Sequence, residues 1–315
     1  MFLNKIKSGE SGILLYGITP PKSETSPERI AEIAEKTIVR LIPLDIDALV
    51  VYDVQDESAR TSEERPFPFL KALDPYLFAS KYLGDLDIPK IIYRPAGKFS
   101  KDELADWLDD LHQNNFYPVF VGVPIPDFPV KTSLPEAYKI WSKNEDTSVI
   151  GAVTIPERHE VLKDEDKRII DKVNCGVSYF ISQCVFNLAY AKQVIEDLSC
   201  TCKKENIKFP TIIFTLTACG SEKTLNFMEW LGIHVPDELK EDIKNSENIL
   251  EKSVNVCLDI AAELAAFCTE RSVPFGFNIE SVAIKKDEIE ASIYMVNKIA
   301  EMLDKKGIRK MKVVS

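Results

Sequence analysis

At 315 residues, with 45% hydrophobic and 28% charged residues, the chain can bury a full core and suits either two ordinary domains or one large α/β barrel. Its formal charge of −11 is the reverse of the basic stripe that tracks a phosphate backbone, so nucleic acid is not an expected partner. No window approaches the ~18 apolar residues needed to span a bilayer, and the N-terminus lacks an apolar signal core, so a cytoplasmic protein without a membrane partner is expected. The 7 cysteines form an odd set without framework spacing and read as reduced thiols. Cys200-Thr-Cys202 is the one close pair, and no finger-spaced partner accompanies it, so no metal site is expected.

In chain order, apolar runs alternate with amphipathic segments. Strands are expected over residues 13–18, 48–52, 90–93, 118–122, 149–154, 179–183, 211–216 and 275–279. Between them stand helix signals. Ser26 followed by Pro27 opens one, Ser100-Lys-Asp-Glu103 another, and Asn187 before an apolar periodic run a third. Alternation of this kind implies a parallel sheet, and eight strands are the number that closes a barrel. The rhythm changes near the end, where residues 221–231, 236–244 and 250–271 read as three successive helices before the last strand. No linker or repeat divides the chain. The expectation is an α/β fold, a single-domain (β/α)8 TIM barrel over residues 1–315 with extra helices before the last strand. The basic stretch over residues 303–312 reads as a solvated helix end.

Chemistry in such a barrel collects where the strands end. Those exits read Gly17-Ile-Thr-Pro-Pro-Lys22, Tyr52-Asp-Val-Gln-Asp-Glu57, Tyr93-Arg-Pro95, Val121-Gly-Val123, Thr154-Ile-Pro-Glu-Arg-His159, Gln183, Thr215-Leu-Thr217 and Asn278-Ile-Glu-Ser281. Gln183 stands out, because an amide ending an otherwise apolar strand needs a partner once buried. Arg94 beside Pro95 reads as an anion clamp for a phosphate or a glutamate tail, or as the partner of the acidic loop after strand two. That loop runs from Asp53 to Phe69, mixes both charge signs, and reads as a lid or a partner-facing loop. No G-x-G-x-x-G fingerprint occurs, so a Rossmann cofactor site is not expected.

The segment Lys172-Val-Asn-Cys-Gly176, followed by an apolar strand closing on Gln183 and an aromatic run to Asn187, resembles a stretch of the methylenetetrahydrofolate reductases. There it reads Lys-Val-Asp-Ala-Gly-Ala, four residues, then Thr-Gln and an aromatic run to Asp. Pro156-Glu157-Arg158-His159 is similar to that family's Pro-Glu-x-His turn, and Pro20-Pro21-Lys22 to its Pro-Pro-Arg. The chain is accordingly identified as a divergent member of that superfamily. The resemblance implies flavin-mediated hydride transfer from NADH or NADPH, through FAD, to 5,10-methylenetetrahydrofolate or a related one-carbon pterin, in one-carbon metabolism and methionine biosynthesis. It implies that Glu157, His159 and Lys172 face the cofactor and that Gln183 contacts the pterin or flavin ring. His159 read alone would simply bond a backbone carbonyl, and Lys172 would complete a helix C-terminus.

Three departures bear on that chemistry. Gly17 stands where the family has the glutamate that protonates the folate nitrogen, Val121-Gly122-Val123 replaces its Arg-Gly-Asp, and Phe277-Asn-Ile-Glu-Ser281 replaces the ending of its eighth strand. Loss of a general acid costs ~10²–10⁴ in rate. By position Glu280, Glu157, Asp53 and Asp56 are the carboxyls able to replace it, with Glu280 beside strand one as the catalytic candidate. The alternative is a flavin-less paralogue that binds folate or serves as a subunit beside a true reductase. The partners expected are therefore a folate, and a second copy or a reductase subunit.

Overall fold

The computed structural model describes residues 2–123, 125, 128–143, 149–282 and 284–311, so the end of the basic stretch at Lys312 lies outside the described residues. A short helix α1 (Phe2–Ser8) leads into β1 (Ile13–Ile18) and α2 (Pro27–Leu41). Next come β2 (Ala48–Val51), a long loop and α3 (Pro75–Tyr82), then β3 (Lys90–Pro95) with α4 (Lys101–Gln113) and β4 (Phe116–Val121) with α5 (Leu134–Trp141). β5 (Gly151–Thr154) is followed by two helices, α6 (Pro156–Leu162) and α7 (Glu165–Asn174), and β6 (Tyr179–Cys184) by α8 (Leu188–Glu205). After β7 (Thr211–Thr217) come α9 (Glu222–Trp230), α10 (Asp237–Lys244) and α11 (Ile249–Glu270), and the chain closes with β8 (Phe275–Glu280) and α12 (Lys286–Lys305).

The strands form a closed barrel in the order β1 to β8, each parallel to the next, with β8 returning to β1. The expected (β/α)8 barrel is therefore present, including the run of helices between β7 and β8. The N-terminal signals act as read. Ser26 accepts a hydrogen bond from the Arg29 backbone N–H at 3.3 Å, Ser100 and Glu103 form a reciprocal capping box, and Asn187 accepts from the N–H groups of Ala189 and Tyr190. Strand β8 runs one residue beyond expectation, which puts Glu280 inside the barrel wall opposite Gly17.

Side chains alternate across the strands, so two apolar cores result. One lies between strands and helices and contains Leu14, Leu49, Ile92, Phe120, Phe180, Phe214 and Phe277. The other fills the barrel with Ile13, Leu15, Val50, Ile91, Val119, Tyr179 and Ile213. No sequence signal pointed to α1, which stoppers the N-terminal end of the barrel. Its Phe2 is fully buried against the rings of Tyr117 and Tyr179, at 5.2 and 5.4 Å between centroids. Beside it Arg309 binds Asp45 and Asp47, and Lys5 reaches Asp47 at 2.9 Å. Among the described residues, no helix is long and apolar enough to cross a membrane.

Candidate functional site

The opposite end of the barrel is open. A cavity of about 580 Å³ lies at the C-terminal ends of the strands, lined among others by Gly17, Tyr52, Tyr93, Gln183, Thr215 and Glu280. This is within the ~300–1,000 Å³ usual for a small-molecule site. The loop after β2 reaches across one side of it. Trp230 on α9 donates from its indole Nε1 to the Glu63 carbonyl at 3.1 Å, and Phe67 meets Phe227 edge-on at 5.3 Å. The Arg65 guanidinium lies against the stacked pair of Phe227 and Trp230, 4.9 and 5.3 Å from their centroids. A bridge between Lys22 and Ala72 ties the loop's far end to the exit of β1. The loop read as a lid thus covers part of the mouth by packing on α9.

The floor of the cavity is a hydrogen-bonded chain inside an otherwise apolar barrel. Asn278, fully buried on β8, donates from Nδ2 to the Tyr52 hydroxyl at 2.7 Å and to Thr215 Oγ1 at 3.2 Å. The Tyr52 hydroxyl in turn faces the Glu280 carboxyl and acts on it as a side-chain donor. Because the tyrosine oxygen already accepts from Asn278, its single O–H is the atom that donates to Glu280. Cys184 Sγ also donates to Glu280, at 3.3 Å from Oε1. These two bonds favour the ionised carboxylate, but burial outweighs them, and the carboxyl is held above its ordinary pKa. Tyr52 and Tyr93 meet edge-on at 4.8 Å and wall this end of the floor.

Two further carboxyls around the mouth are perturbed in the same direction. Burial pushes Asp53, which lines the cavity, up to about 6, although Lys98 and Arg94 pull against it. Glu157 is pushed up to about 7 by burial, despite hydrogen bonds from its own backbone and that of His234, and its Oε2 has no partner. Glu280 and Asp53 thus put two perturbed carboxyls into the lining of one cleft, the kind of arrangement that gathers at functional sites, with Glu157 behind it.

The residues singled out in the sequence separate into two groups. Glu280 and Gln183 reach the cavity, where the Gln183 Nε2 donates to the Leu231 carbonyl at 3.0 Å. Five others do not line it. His159 is buried beneath α6, where Nδ1 accepts from the Glu165 backbone N–H at 3.2 Å, so the proton sits on Nε2 and is donated to Asp197 at 2.8 Å. Lys172 donates to the Val153 carbonyl at 2.8 Å, and burial lowers its ammonium to about 8. Glu157 sits behind the lining at the start of α6. Arg94 stands outside the lining rather than clamping an anion there: strand parity turns it outward, where it is 4% exposed, pairs with Asp74 at 2.6 Å and stacks on Phe99 and Trp107 at 4.7 and 4.4 Å. Asp56 is exposed outside the cavity.

This arrangement bears on the flavin that the resemblance implies. The two cationic or ring groups assigned to its ribityl and phosphate portion, His159 and Lys172, are spent on internal partners away from the cavity, and Val121 and Val123 offer the lining no polar atom where the aspartate of that family would stand. The residues present do not fit that cofactor assignment. Among the described residues, no group of three or more His, Cys, Asp and Glu side chains is placed to hold a metal ion.

Sequence reasoning did not single out Tyr52, Asn278, Thr215 or Cys184 as site residues. The signal was present in Asn278, a polar side chain at an inward position of an apolar strand, two residues before Glu280. Tyr52 stood at the exit of the second strand, but its pairing with Glu280 needs β8 to close beside β1.

No family model matches the chain, and no curated protein matches it. Among solved structures, an uncharacterized protein from Clostridium thermocellum that binds two copies of 5-methyl-5,6,7,8-tetrahydrofolic acid is 45% identical, with a TM-score of 0.84 over 95% of this chain and 99% of that one. EDTA monooxygenase from Chelativorans sp. BNC1 is 12% identical, with a TM-score of 0.51 over 95% of each chain, a likeness of fold alone.

Proposed function

We propose, from the premise that this chain belongs to the same family as that uncharacterized Clostridium thermocellum protein, that its barrel mouth binds a reduced folate. The single observation that carries the reading is the floor of the cavity, where Glu280, its carboxyl held above its ordinary pKa by burial, stands among Tyr52, Thr215 and Gln183 within a space of small-ligand size. A reduced pterin presents donors and acceptors along its ring edges, including a basic N5, and needs both kinds of partner in a dry slot. With its proton held, the Glu280 carboxyl supplies a donor for N5, and the Gln183 carbonyl supplies an acceptor for a ring N–H. Tyr52, Tyr93, Phe227 and Trp230 offer flat apolar surface to the rings and the aminobenzoyl group. The glutamate tail then lies toward the rim, where Arg65 and Arg158 stand.

The reading extends to a divergent place beside the methylenetetrahydrofolate reductases, as a folate-binding barrel without a resident flavin. It is supported by the internal partners of His159 and Lys172. A second reading, an FAD- and NAD(P)H-dependent reductase of 5,10-methylenetetrahydrofolate, is favoured by one observation: Glu280 lies on the neighbouring strand at the level of Gly17, where an acid for that reaction would be needed.

Calorimetric titration with 5-methyltetrahydrofolate tests the first reading. Binding by the wild type, weakened at least tenfold in Glu280→Ala and severalfold in Gln183→Ala, is expected from the loss of a buried hydrogen bond of ~1–3 kcal/mol. No heat of binding by the wild type would sink it. Absorbance near ~450 nm that stays with the protein after mixing with FAD and gel filtration, and bleaches with NADH or NADPH, would move the conclusion to the reductase.

A further inference from the structure

Gly17 and Glu280 are register partners on β1 and β8, so their side-chain positions lie side by side on the inner face. A Cβ on residue 17 would stand 2.8 Å from Tyr52 Cε2, 3.1 Å from its hydroxyl oxygen and 3.2 Å from Glu280 Cβ. The first of these is closer than real Cβ atoms come, and the tyrosine ring is hemmed by Tyr93 at 4.8 Å. The glycine therefore leaves the volume that the tyrosine ring needs in order to reach the carboxyl on the strand beyond.

We propose that Tyr52 is the positioning residue of this site: its hydroxyl, oriented by Asn278, turns the Glu280 carboxyl so that the free oxygen faces the ligand, and residue 17 is glycine to admit the tyrosine. The inference rests on the folate-binding reading and adds to it the device that aims the acid. The direction of each bond follows from counting protons. Asn278 Nδ2–H is spent on the tyrosine oxygen, so the tyrosine proton has one place to go, the Glu280 carboxyl, and Cys184 takes up another acceptor position at Oε1. Of the about four lone-pair sites of a carboxyl these two bonds occupy two, and the side of the group turned to the open cavity is left for its own proton. Groups facing Glu280 from the surrounding strands are Tyr52 on the exit of β2, Tyr93 on β3, Cys184 on β6 and, through the wall of β1, Tyr16; none of them is a cation.

The consequence is a protein whose folate affinity falls as pH rises through the ionisation of Glu280, with Tyr52 setting where that fall occurs. The tyrosine bond stabilises the ionised carboxylate, so its removal moves the ionisation to higher pH. The experiment follows the Glu280 carboxyl carbon by NMR in ligand-free protein, assigned by its absence in Glu280→Gln, and in parallel titrates 5-methyltetrahydrofolate across pH 5 to 9. Tyr52→Phe is expected to shift both the carboxyl titration and the midpoint of the affinity decline upward by about one pH unit, tenfold in the ionisation constant. Gly17→Ala, which displaces the ring and leaves its hydroxyl intact, should reproduce that shift. Glu280→Gln, which keeps a donor and cannot ionise, should lose the decline that Tyr52→Phe displaces and keep at most a step near pH 6 from Asp53.

A carboxyl titration unchanged in Tyr52→Phe, with the protein folded by circular dichroism, overturns the inference whether or not folate binds. A shifted titration in a protein that binds no folate upholds the positioning role and overturns only the folate reading. Loss of affinity at every pH with an unmoved midpoint would assign Tyr52 a merely structural role and overturn the inference as well.

Discussion

The two ends of the barrel handle buried carboxylates in opposite ways. At the closed end, Asp45 and Asp47 are 6% and 5% exposed, and each meets the Arg309 guanidinium, with Lys5 adding a second cation to Asp47. At the open end, Glu280, Asp53 and Glu157 are withdrawn from water, and burial is the largest influence on each of them. Charge that is matched holds a structure together; carboxyl groups left unmatched hold their protons to higher pH than a solvated carboxyl does. The same eight strands run through both ends, so the difference lies in what the loops and terminal helices bring to them. The closed end receives α1 and the segment after α12, both cationic, whereas the mouth receives aromatic side chains.

The sharpest way to break this comparison is to unmatch the closed end. Arg309→Met leaves Asp45 and Asp47 short of their main partner and is expected to cost about 3–5 kcal/mol in urea denaturation, while folate affinity of the folded protein changes less than twofold. A large loss of affinity with little loss of stability would erase the distinction between the ends. A smaller effect is expected at Arg94, whose partner Asp74 remains partly solvated. Arg94→Lys gives up the planar stacking on Phe99 and Trp107 and should cost about 1–2 kcal/mol without altering ligand binding. Weakened folate binding in a stable Arg94→Lys protein would restore the clamp reading.

The smallest effect is a change of slope. Glu157 ionises near 4.5 in an unfolded chain and at about 7 when folded, so between those values the folded state holds a proton the unfolded state has released. Stability contributed by the neutral group is present below pH 4.5 and is lost as pH rises toward 7. Glu157→Gln should therefore raise the denaturation midpoint at pH 8 and leave it unchanged at pH 4. An equal gain at both values would mean that the carboxyl titrates normally.

The fold was legible because its signals are local. Ser26 with Pro27, the Ser100 and Glu103 box, and the Asn187 cap each mark a helix start through contacts within a few residues, and the apolar runs between them are buried strands of the expected length. Half of the site was legible by the same logic, since residues leaving strands line the mouth, and Glu280 and Gln183 do so. Arg94 failed because inward or outward direction depends on parity within a run buried on both faces, and an apolar strand carries no polar alternation to reveal it. His159 and Lys172 follow β5 in helices α6 and α7, whose packing against α8 and the strand carbonyls turned them into internal partners. Helix α1 escaped notice because its seven residues have no distinctive pattern apart from the apolar side chains that the barrel itself buries.

By itself, the amino-acid sequence determined the alternation of strands and helices, the closure number of eight and the positions at which a ligand site must open, since each depends on residues near one another in the chain. Tertiary structure decided which carboxyl reaches that site and in what state. Gly17, Tyr52, Cys184, Asn278 and Glu280 come from four strands or strand exits, separated by up to 263 positions, and meet only when β8 pairs with β1. The physical reason is that a carboxyl's proton affinity is set by its surroundings in space, by burial and by the donors aimed at it, and these exist only once the barrel has closed.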